Sequence, residues 1–276
     1  MAYDYDLLRV ELRTGVASVL IDNPPINLMS VPLLLELSSF ADEAAEDDEV
    51  RVVVLRSANP DFFIAHFDVE AILGAPTDTE PERSDRLGRF HRMTERYRTM
   101  PKPTICEING RVGGGGGELA ASCDLRFGAV GRTVLCQMEV PLGILPGGSG
   151  TQRLPRLIGR GPALEVILGG DDIDAVTLER WGWLNRALPP DQLTPFVDRF
   201  AARVASFPPV AVAQAKAAAL GAEGDPVPGL LDEAYRFQLT LRDPASGDRM
   251  RRFLERGGQT PEGEARVGDL GGELGR

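Results

Sequence analysis

Five consecutive glycines, Gly113 to Gly117, constrain the fold of this chain more than any other feature. Glycine loses more backbone freedom on folding than any other residue, and in a helix interior each costs roughly 1 kcal/mol relative to alanine. A fold tolerates this where backbone must approach another group closely, or where bare N–H groups must face a ligand. Because the run follows the apolar residues 104–108 and precedes Glu118, we expect a strand, a glycine loop and the N-terminus of a helix.

Two glutamates are candidates for chemistry. Glu118 is expected in or near the first helical turn, where an acid can simply stabilise the helix dipole by up to about 1 kcal/mol. Glu139 ends an apolar strand between Met138 and Val140, so burial would raise its pKa and suit it to acid or base work, although it could equally be a strand-end acid facing water. Each stands beside a glycine loop, so together they form a candidate general acid/base pair.

The order of the segments predicts an α/β fold. Residues 7–12 and 16–21 flank Thr14-Gly15 and predict a hairpin, and residues 31–46 carry apolar side chains at helical spacing. The apolar residues 50–55 then predict a buried strand, so the sheet should be mainly parallel. After about residue 190 nearly every segment has a helical pattern. We therefore expect a core over 1–190, a helical region over 191–256 and a disordered, glycine-rich tail over 257–276.

Composition excludes several classes of protein. The formal net charge of −11 argues against a nucleic-acid partner, which would need a basic surface. Three cysteines without CxxC spacing and only two histidines make a disulfide framework or a metal site improbable, and they fit a reducing compartment. The N-terminus lacks the apolar core of a signal peptide, and no apolar run reaches the ~20 residues of a membrane span. We expect a cytoplasmic protein without a membrane partner.

The glycine run also fits, formally, a relaxed dinucleotide fingerprint over Gly115, Gly117 and Ala120. The match is weak, because five glycines satisfy many spacings by chance and the fingerprint belongs in the first strand-to-helix turn of its fold. A nucleotide P-loop is absent, and Ser149 does not stand in a G-x-S-x-G motif, since Thr151 replaces the last glycine. These motifs favour neither a nucleotide-binding protein nor a serine hydrolase.

From about residue 7 to about residue 256 the chain resembles the enoyl-CoA hydratase/isomerase (crotonase) family. The resemblance is carried by the following segments in this order: Phe62-Phe-Ile-Ala-His-Phe-Asp68, Asn109-Gly-Arg-Val-Gly-Gly-Gly-Gly-Gly-Glu-Leu-Ala120, Cys123-Asp124, Met138-Glu-Val-Pro-Leu-Gly143 and Pro146-Gly-Gly-Ser-Gly-Thr-Gln-Arg-Leu154. It implies a ββα spiral core and a helical C-terminal region that forms homotrimers, often paired into homohexamers. It also implies an acyl-CoA thioester substrate, with coenzyme A as part of the substrate and no separate cofactor or metal.

The family motifs assign roles by position. The resemblance implies that the N–H groups of Phe67 and Gly115 form an oxyanion hole and that Glu118 and Glu139 are catalytic, the first as base and the second as proton donor. Preorganised donors of this kind stabilise an enolate-like thioester by about 3–4 kcal/mol each. The further substrate contacts that the resemblance implies are Ala65, His66, Asp68, Gly114, Leu142 and Gly143.

The first loop departs from the family pattern, because His66 replaces a glycine and could be a pocket-lining, packing or catalytic residue. Both glutamates together favour hydration of a 2-enoyl-CoA. An isomerase or another acyl-CoA-processing enzyme, and a CoA-binding member without turnover in which His66 and Phe67 close the acyl pocket, remain as alternatives.

Overall fold

A computed structural model describes residues 3–274. Ten strands are present in this range: β1 (Leu8–Arg13), β2 (Val16–Ile21), β3 (Val52–Ser57), β4 (Phe62–Ile64), β5 (Thr104–Ile108), β6 (Arg111–Gly113), β7 (Leu125–Ala129), β8 (Val134–Cys136), β9 (Ile173–Asp174) and β10 (Arg186–Leu188). The helices of the same range are α1 (Val31–Glu46), α2 (Val69–Leu73), α3 (Arg89–Thr99), α4 (Gly114–Ser122), α5 (Gly150–Ile158), α6 (Arg160–Gly169), α7 (Ala175–Trp181), α8 (Pro190–Ala205), α9 (Pro209–Gly221), α10 (Val227–Leu241), α11 (Pro244–Glu255), α12 (Pro261–Glu264) and α13 (Val267–Glu273).

The strands form two sheets. The larger has the order β1-β2-β3-β5-β7-β10, in which only the β1–β2 hairpin is antiparallel. The smaller has the order β4-β6-β8-β9 and is parallel except at β9. The chain alternates between the sheets, since β5 lies in one and β6 in the other. The predicted α/β fold with a mainly parallel sheet is confirmed.

The first βαβ unit forms as its sequence predicts. Side chains of β2 alternate between buried and half-buried, as expected for a strand with one face on the core. Helix α1 begins after Ser30, whose hydroxyl accepts a hydrogen bond from the Leu33 N–H, and Pro32 occupies a position in the first turn where no N–H is needed. Its buried face, which includes Leu37 and Phe40, packs into the main core.

Helix α4 lies at the centre of the molecule, and all nine of its residues are buried. It contacts β4, β6 and β8 of the smaller sheet as well as α3 and α5. Its position explains part of the glycine run. A Cβ on Gly116 would lie 2.4 Å from the carbonyl oxygen of Ile64, so only glycine lets the helix approach the strand this closely.

The helical C-terminal region shares its core with the sheets. Leu193, Val197 and Ala201 of α8 pack against Val54 and Phe127 of the larger sheet. The composition shift near residue 190 therefore marks a change of secondary structure, and the helix that follows it covers one face of the sheet.

The tail departs from the sequence prediction. Residues 257–274, which composition predicts to be disordered, form α12 and α13. Val267 and Leu270 are buried in an apolar cluster with Met138, which directly precedes Glu139, and Leu142, which follows it by three residues. The prediction of disorder was therefore wrong for 257–274, while residues 275 and 276 lie outside the described range. No helix within residues 3–274 is long and apolar enough to cross a membrane.

Candidate active site

The start of α4 differs from the glycine loop that we expected. The helix begins at Gly114, so four of the five glycines are helical, and Glu118 lies one turn inside the helix rather than in its first turn. A simple dipole-stabilising role for Glu118 is therefore weakened. The N–H of Gly115 belongs to the first turn, where no intrahelical acceptor is available.

Phe67 and Gly115 are neighbours across the site. A Cβ on Gly115 would lie 3.3 Å from Phe67 Cβ. The residues on both sides of Phe67 are hydrogen-bonded to Met29, through the His66 carbonyl and the Asp68 N–H. Within residues 3–274 the Phe67 N–H itself has no hydrogen-bond acceptor. The backbones of Phe67 and Gly115, which the resemblance implies as oxyanion-hole donors, thus lie close together.

The carboxylate of Glu118 is held by a second glycine loop. Its Oε1 atom accepts the N–H of Gly148 at 2.8 Å and that of Gly150 at 2.7 Å. The side chain is buried, with 4% of its surface exposed. Burial and the negative charges of Glu139 and Glu233 raise the pKa of Glu118 well above its ordinary value, although the two N–H donors oppose the shift.

Glu139 lies three residues after β8 and is buried, which decides between the two interpretations that the sequence left open. Its Oε2 atom has no hydrogen-bond partner among the described residues. Burial raises the pKa of Glu139 to about 7, and the charge of Glu233 adds to the shift, while its own N–H and nearby His66 oppose it. Both carboxyl pKa values are raised, so each carboxyl group of the Glu118–Glu139 pair binds a proton more readily than an ordinary glutamate.

Both glutamates line a cavity of about 260 Å³ with Phe67 and Gly115. The remaining wall is apolar and includes Phe90 of α3, Ile144 and Phe237 of α10. The four residues predicted to act on the substrate therefore meet at one cavity. Two acids, two backbone donors and an apolar wall suit a ligand with a polarisable carbonyl and a short carbon chain.

The six other predicted substrate contacts are absent from the lining of this cavity. Ala65 packs in a small apolar cluster, His66 bonds to Glu264, and the Asp68 carboxylate accepts the Glu70 N–H at the start of α2. Gly114 lies between His66 and Glu139, Leu142 is buried in the cluster that contains Leu270, and the Gly143 carbonyl accepts the Ser246 hydroxyl.

Sequence reasoning missed Glu233 of α10. It is 1% exposed, and its carboxylate accepts the N–H groups of Ser149 and Thr151 and the Thr151 hydroxyl. His91 Nε2 lies 3.0 Å from its Oε1 atom. Only the rarity of a glutamate on the apolar face of a helix could have drawn attention to it, because its partners are 82 to 142 residues away.

Comparisons with known proteins agree with this geometry. A sequence model described as enoyl-CoA hydratase/isomerase matches residues 11–257. A crotonyl-CoA hydratase of Syntrophomonas wolfei is 34% identical over 259 residues, which are 93% of this chain and 97% of that protein. A short-chain-enoyl-CoA hydratase of Clostridium acetobutylicum is 33% identical, over 90% of this chain and 94% of its own length.

Solved structures have the same fold. A crystal structure of a proposed enoyl-CoA hydratase from Streptomyces avermitilis superposes with a TM-score of 0.89 at 37% identity, covering 99% of this chain and all of that one. An enoyl-CoA hydratase from Bacillus anthracis gives a TM-score of 0.71 at 29% identity, covering 91% and 97% of the two chains.

The two alternating sheets, the buried central helix and the helical C-terminal region define a crotonase-fold protein. With a family model that matches nearly its whole length, the chain belongs to the enoyl-CoA hydratase/isomerase family, whose members act on acyl-CoA thioesters.

Proposed function

We propose that this protein is an enoyl-CoA hydratase, which adds water reversibly to the double bond of a 2-enoyl-CoA. Its coenzyme A is part of the substrate, and the proposal needs no separate cofactor. The observation that carries the proposal is the meeting of two buried glutamates with two free backbone N–H groups at one apolar cavity. Relatives named as crotonyl-CoA and short-chain-enoyl-CoA hydratases support a short acyl chain.

The first part of the reaction needs a place for negative charge. When water attacks the β-carbon, the C=C π electrons move toward the thioester and give an enolate-like oxygen. In the proposed reaction the N–H groups of Phe67 and Gly115 donate to that oxygen. Removal of one such donor typically costs about 3–4 kcal/mol of transition-state stabilisation. Because both donors belong to rigid backbone, they need no reorganisation during the step.

The second part of the reaction needs two proton transfers. The water loses a proton as its oxygen bonds to the β-carbon, and the α-carbon gains a proton as the enolate collapses. We assign the base to Glu118, whose Oε1 is fixed by two N–H groups, and the donor to Glu139, whose Oε2 has no hydrogen-bond partner among the described residues. One proton enters the pair at Glu118 and one leaves it from Glu139, so the number of protons on the pair is unchanged. A proton must then pass from Glu118 to Glu139 before the next turnover.

Hydration of crotonyl-CoA by the purified protein tests this proposal. Hydratase chemistry would be supported if the wild type removes the conjugated enoyl-thioester absorbance and Glu139→Gln does so much more slowly. An unchanged rate in both Glu118→Gln and Glu139→Gln would contradict the assignment. A product with a shifted double bond and no added oxygen would identify an isomerase instead, and binding without turnover would identify a CoA-binding member.

We also propose that the active form is a homotrimer or homohexamer in the cytoplasm. Helix α9 supports the assembly, because it is rich in alanine and valine and none of its residues is buried within one chain. Val210 at its start is 73% exposed. Sedimentation equilibrium tests this proposal, and a monomer at micromolar concentration would contradict it.

A further inference from the structure

His66 stands where the family pattern implies a glycine, and it lies beside the candidate donor Phe67. The imidazole is 2% exposed. Its Nδ1 atom lies 2.7 Å from the Phe67 carbonyl oxygen, and its Nε2 atom lies 2.9 Å from Glu264 Oε1. A carbonyl oxygen can only accept, so Nδ1 carries a hydrogen. A lone pair on Nε2 would then face a carboxylate oxygen, and a second proton between the two atoms removes this repulsion.

The directions of the two pKa shifts favour the histidine as the carrier of this second proton. Burial has the largest influence on His66 and lowers its pKa, but the charge and hydrogen bond of Glu264, the Phe67 carbonyl and Glu139 together raise the pKa above its ordinary value. Burial raises the pKa of Glu264, but the charge of His66 and the hydrogen bond from the Gln259 N–H outweigh it and hold the pKa below its ordinary value. The contact is therefore a buried imidazolium–carboxylate pair.

This pair completes the fixation of the Phe67 backbone. The Met29 N–H donates to the His66 carbonyl at 2.8 Å, and the Asp68 N–H donates to the Met29 carbonyl at 3.2 Å. The N–H at His66 Nδ1 donates to the Phe67 carbonyl oxygen. Three of the four polar groups on the two peptide units around Phe67 are thus bonded within the chain. Because each peptide unit is planar and trans, the fourth group, the Phe67 N–H, is held in one direction.

The C-terminal segment attaches to the same loop at two further points. Glu264 Oε1 also accepts the N–H of Gln259 at 2.8 Å, and the Gln259 side chain accepts the Val69 N–H at 2.6 Å. The Phe253 ring meets the His66 ring edge-on, with 5.8 Å between ring centres. Residues 253–264 therefore form a strap across the back of the Phe67 loop. Within this strap, Glu264 is the charged residue that is hydrogen-bonded to His66.

His66 also lies close to Glu139. A Cβ on Gly114 would be 2.9 Å from both His66 Cβ and Glu139 Oε1, so Gly114 alone separates them at this point. The positive charge of His66 acts against burial and lowers the pKa of Glu139. Further charged or titratable groups close to the His66–Glu264 pair are Arg111 of β6, which is paired with Asp172, and the buried thiol of Cys136 in β8.

We propose that Glu264 is a positioning residue for the reaction: through a protonated His66 it fixes the Phe67 N–H in the site and keeps a positive charge beside Glu139. The inference rests on the proposed function, since both groups that it controls belong to the hydration site. It assigns the C-terminal strap, 198 residues from His66 in sequence, a direct influence on the chemistry.

The charge on His66 can be tested without any activity assay. The chain has only two histidines, His66 and His91, so their imidazole signals can be assigned by NMR with the His66→Ala variant. In the wild type His66 should stay protonated above the pH at which an ordinary histidine titrates. Glu264→Gln preserves the size of the side chain and should move this titration to lower pH. An identical titration in wild type and Glu264→Gln would overturn the proposal.

Kinetics on crotonyl-CoA test the consequence. Glu264→Gln should lower kcat about tenfold or more with little change in KM, because misplacing a donor costs transition-state binding. With the positive charge lost, the pKa of Glu139 should rise, so the alkaline limb of the pH profile moves up by about one unit. A purely structural role would scale the profile without moving it. Glu262→Gln, an exposed glutamate on the same helix, is the matched control and should behave as wild type.

A double-mutant cycle establishes the route. If Glu264 acts through His66, Glu264→Gln should have no further effect on kcat in the His66→Ala background. Additive losses would overturn the proposal. If the wild type lacks hydratase activity, the proposed function is wrong, but the positioning role of Glu264 can still be tested. The measurement is then the infrared carbonyl stretch of bound crotonyl-CoA. A stretch that moves toward its solution value in Glu264→Gln supports the positioning role, and an unchanged stretch overturns it.

Discussion

Glu118 and Glu233 accept hydrogen bonds from alternate residues of one segment, 148–151, in which the second glycine loop leads into α5. Glu118 accepts the N–H groups of Gly148 and Gly150, and Glu233 accepts those of Ser149 and Thr151. The loop therefore presents its N–H groups to two buried carboxylates on opposite sides. The position of the proposed base depends on α10, a helix of the C-terminal region.

Removing the charge of Glu233 should release this loop. In Glu233→Gln the amide NH₂ would face N–H donors, so we expect a loss of about 1–3 kcal/mol in unfolding free energy. The Glu233 charge also raises the pKa of Glu118, so the pH profile of kcat should shift to lower pH. Urea unfolding and a pH series measure both effects. Asp232→Asn, a more exposed neighbour, is the control, and equal effects of the two substitutions would contradict this role.

Neutral glutamine at either catalytic position should abolish most activity. We expect Glu118→Gln and Glu139→Gln each to lower kcat by about 10²–10⁴, which is the usual contribution of general acid/base catalysis. Because the two residues act as a unit, the double variant should lose little more than either single one. Steady-state kinetics on crotonyl-CoA measure these losses, and losses that multiply would show that the two side chains act independently.

The buried Glu139 should also leave a pH signature in stability. Its pKa rises from 4.5 in an ordinary carboxyl group to about 7 in the folded protein, so the folded state binds the proton more tightly. Its contribution is present below the unfolded pKa and is lost as pH rises from about 4.5 to 7, by about 3 kcal/mol in all.

Glu139→Gln removes this titration. The free energy of unfolding of the variant minus that of the wild type should therefore be larger at pH 8 than at pH 5, by up to about 3 kcal/mol. Urea unfolding at both pH values measures these free energies. The exposed Glu262→Gln serves as control, because its difference in unfolding free energy from the wild type should be the same at both pH values. A constant difference between Glu139→Gln and wild type would show that the side chain keeps its ordinary pKa.

The aromatic wall of the cavity should limit the acyl chain. Phe237 lines the cavity of about 260 Å³, so Phe237→Ala should admit longer 2-enoyl chains. We expect the ratio of kcat/KM for an eight-carbon over a four-carbon substrate to rise about tenfold or more. The exposed Phe207→Ala, outside the cavity, should leave the ratio unchanged. A lower ratio in Phe237→Ala would show that the chain binds elsewhere.

Local patterns in the sequence were enough for part of this site. The flanking residues Met138 and Val140 allowed either a buried or a solvent-facing Glu139, and the structure has it buried. The glycine run predicted a helix start, which the structure confirms, although the helix begins at Gly114. The segments on which the resemblance rests also predicted the fold and the family, which are confirmed.

Long-range contacts could not be predicted in the same way. Glu233 meets Ser149 across 84 residues and Glu264 meets His66 across 198, and no local pattern announces either contact. The glycine-rich tail appeared too polar to fold alone. It becomes ordered because Val267 and Leu270 are buried against the segment around Glu139, a gain that composition does not reveal.

Incubation of the protein with crotonyl-CoA in heavy-oxygen water, followed by mass spectrometry of the thioester, tests the central claim most directly. The account predicts a product that gains one water and carries the heavy oxygen, formed by the wild type and not by the double variant Glu118→Gln/Glu139→Gln. A thioester of unchanged mass, or label incorporated equally by the double variant, would contradict hydration by this pair of glutamates.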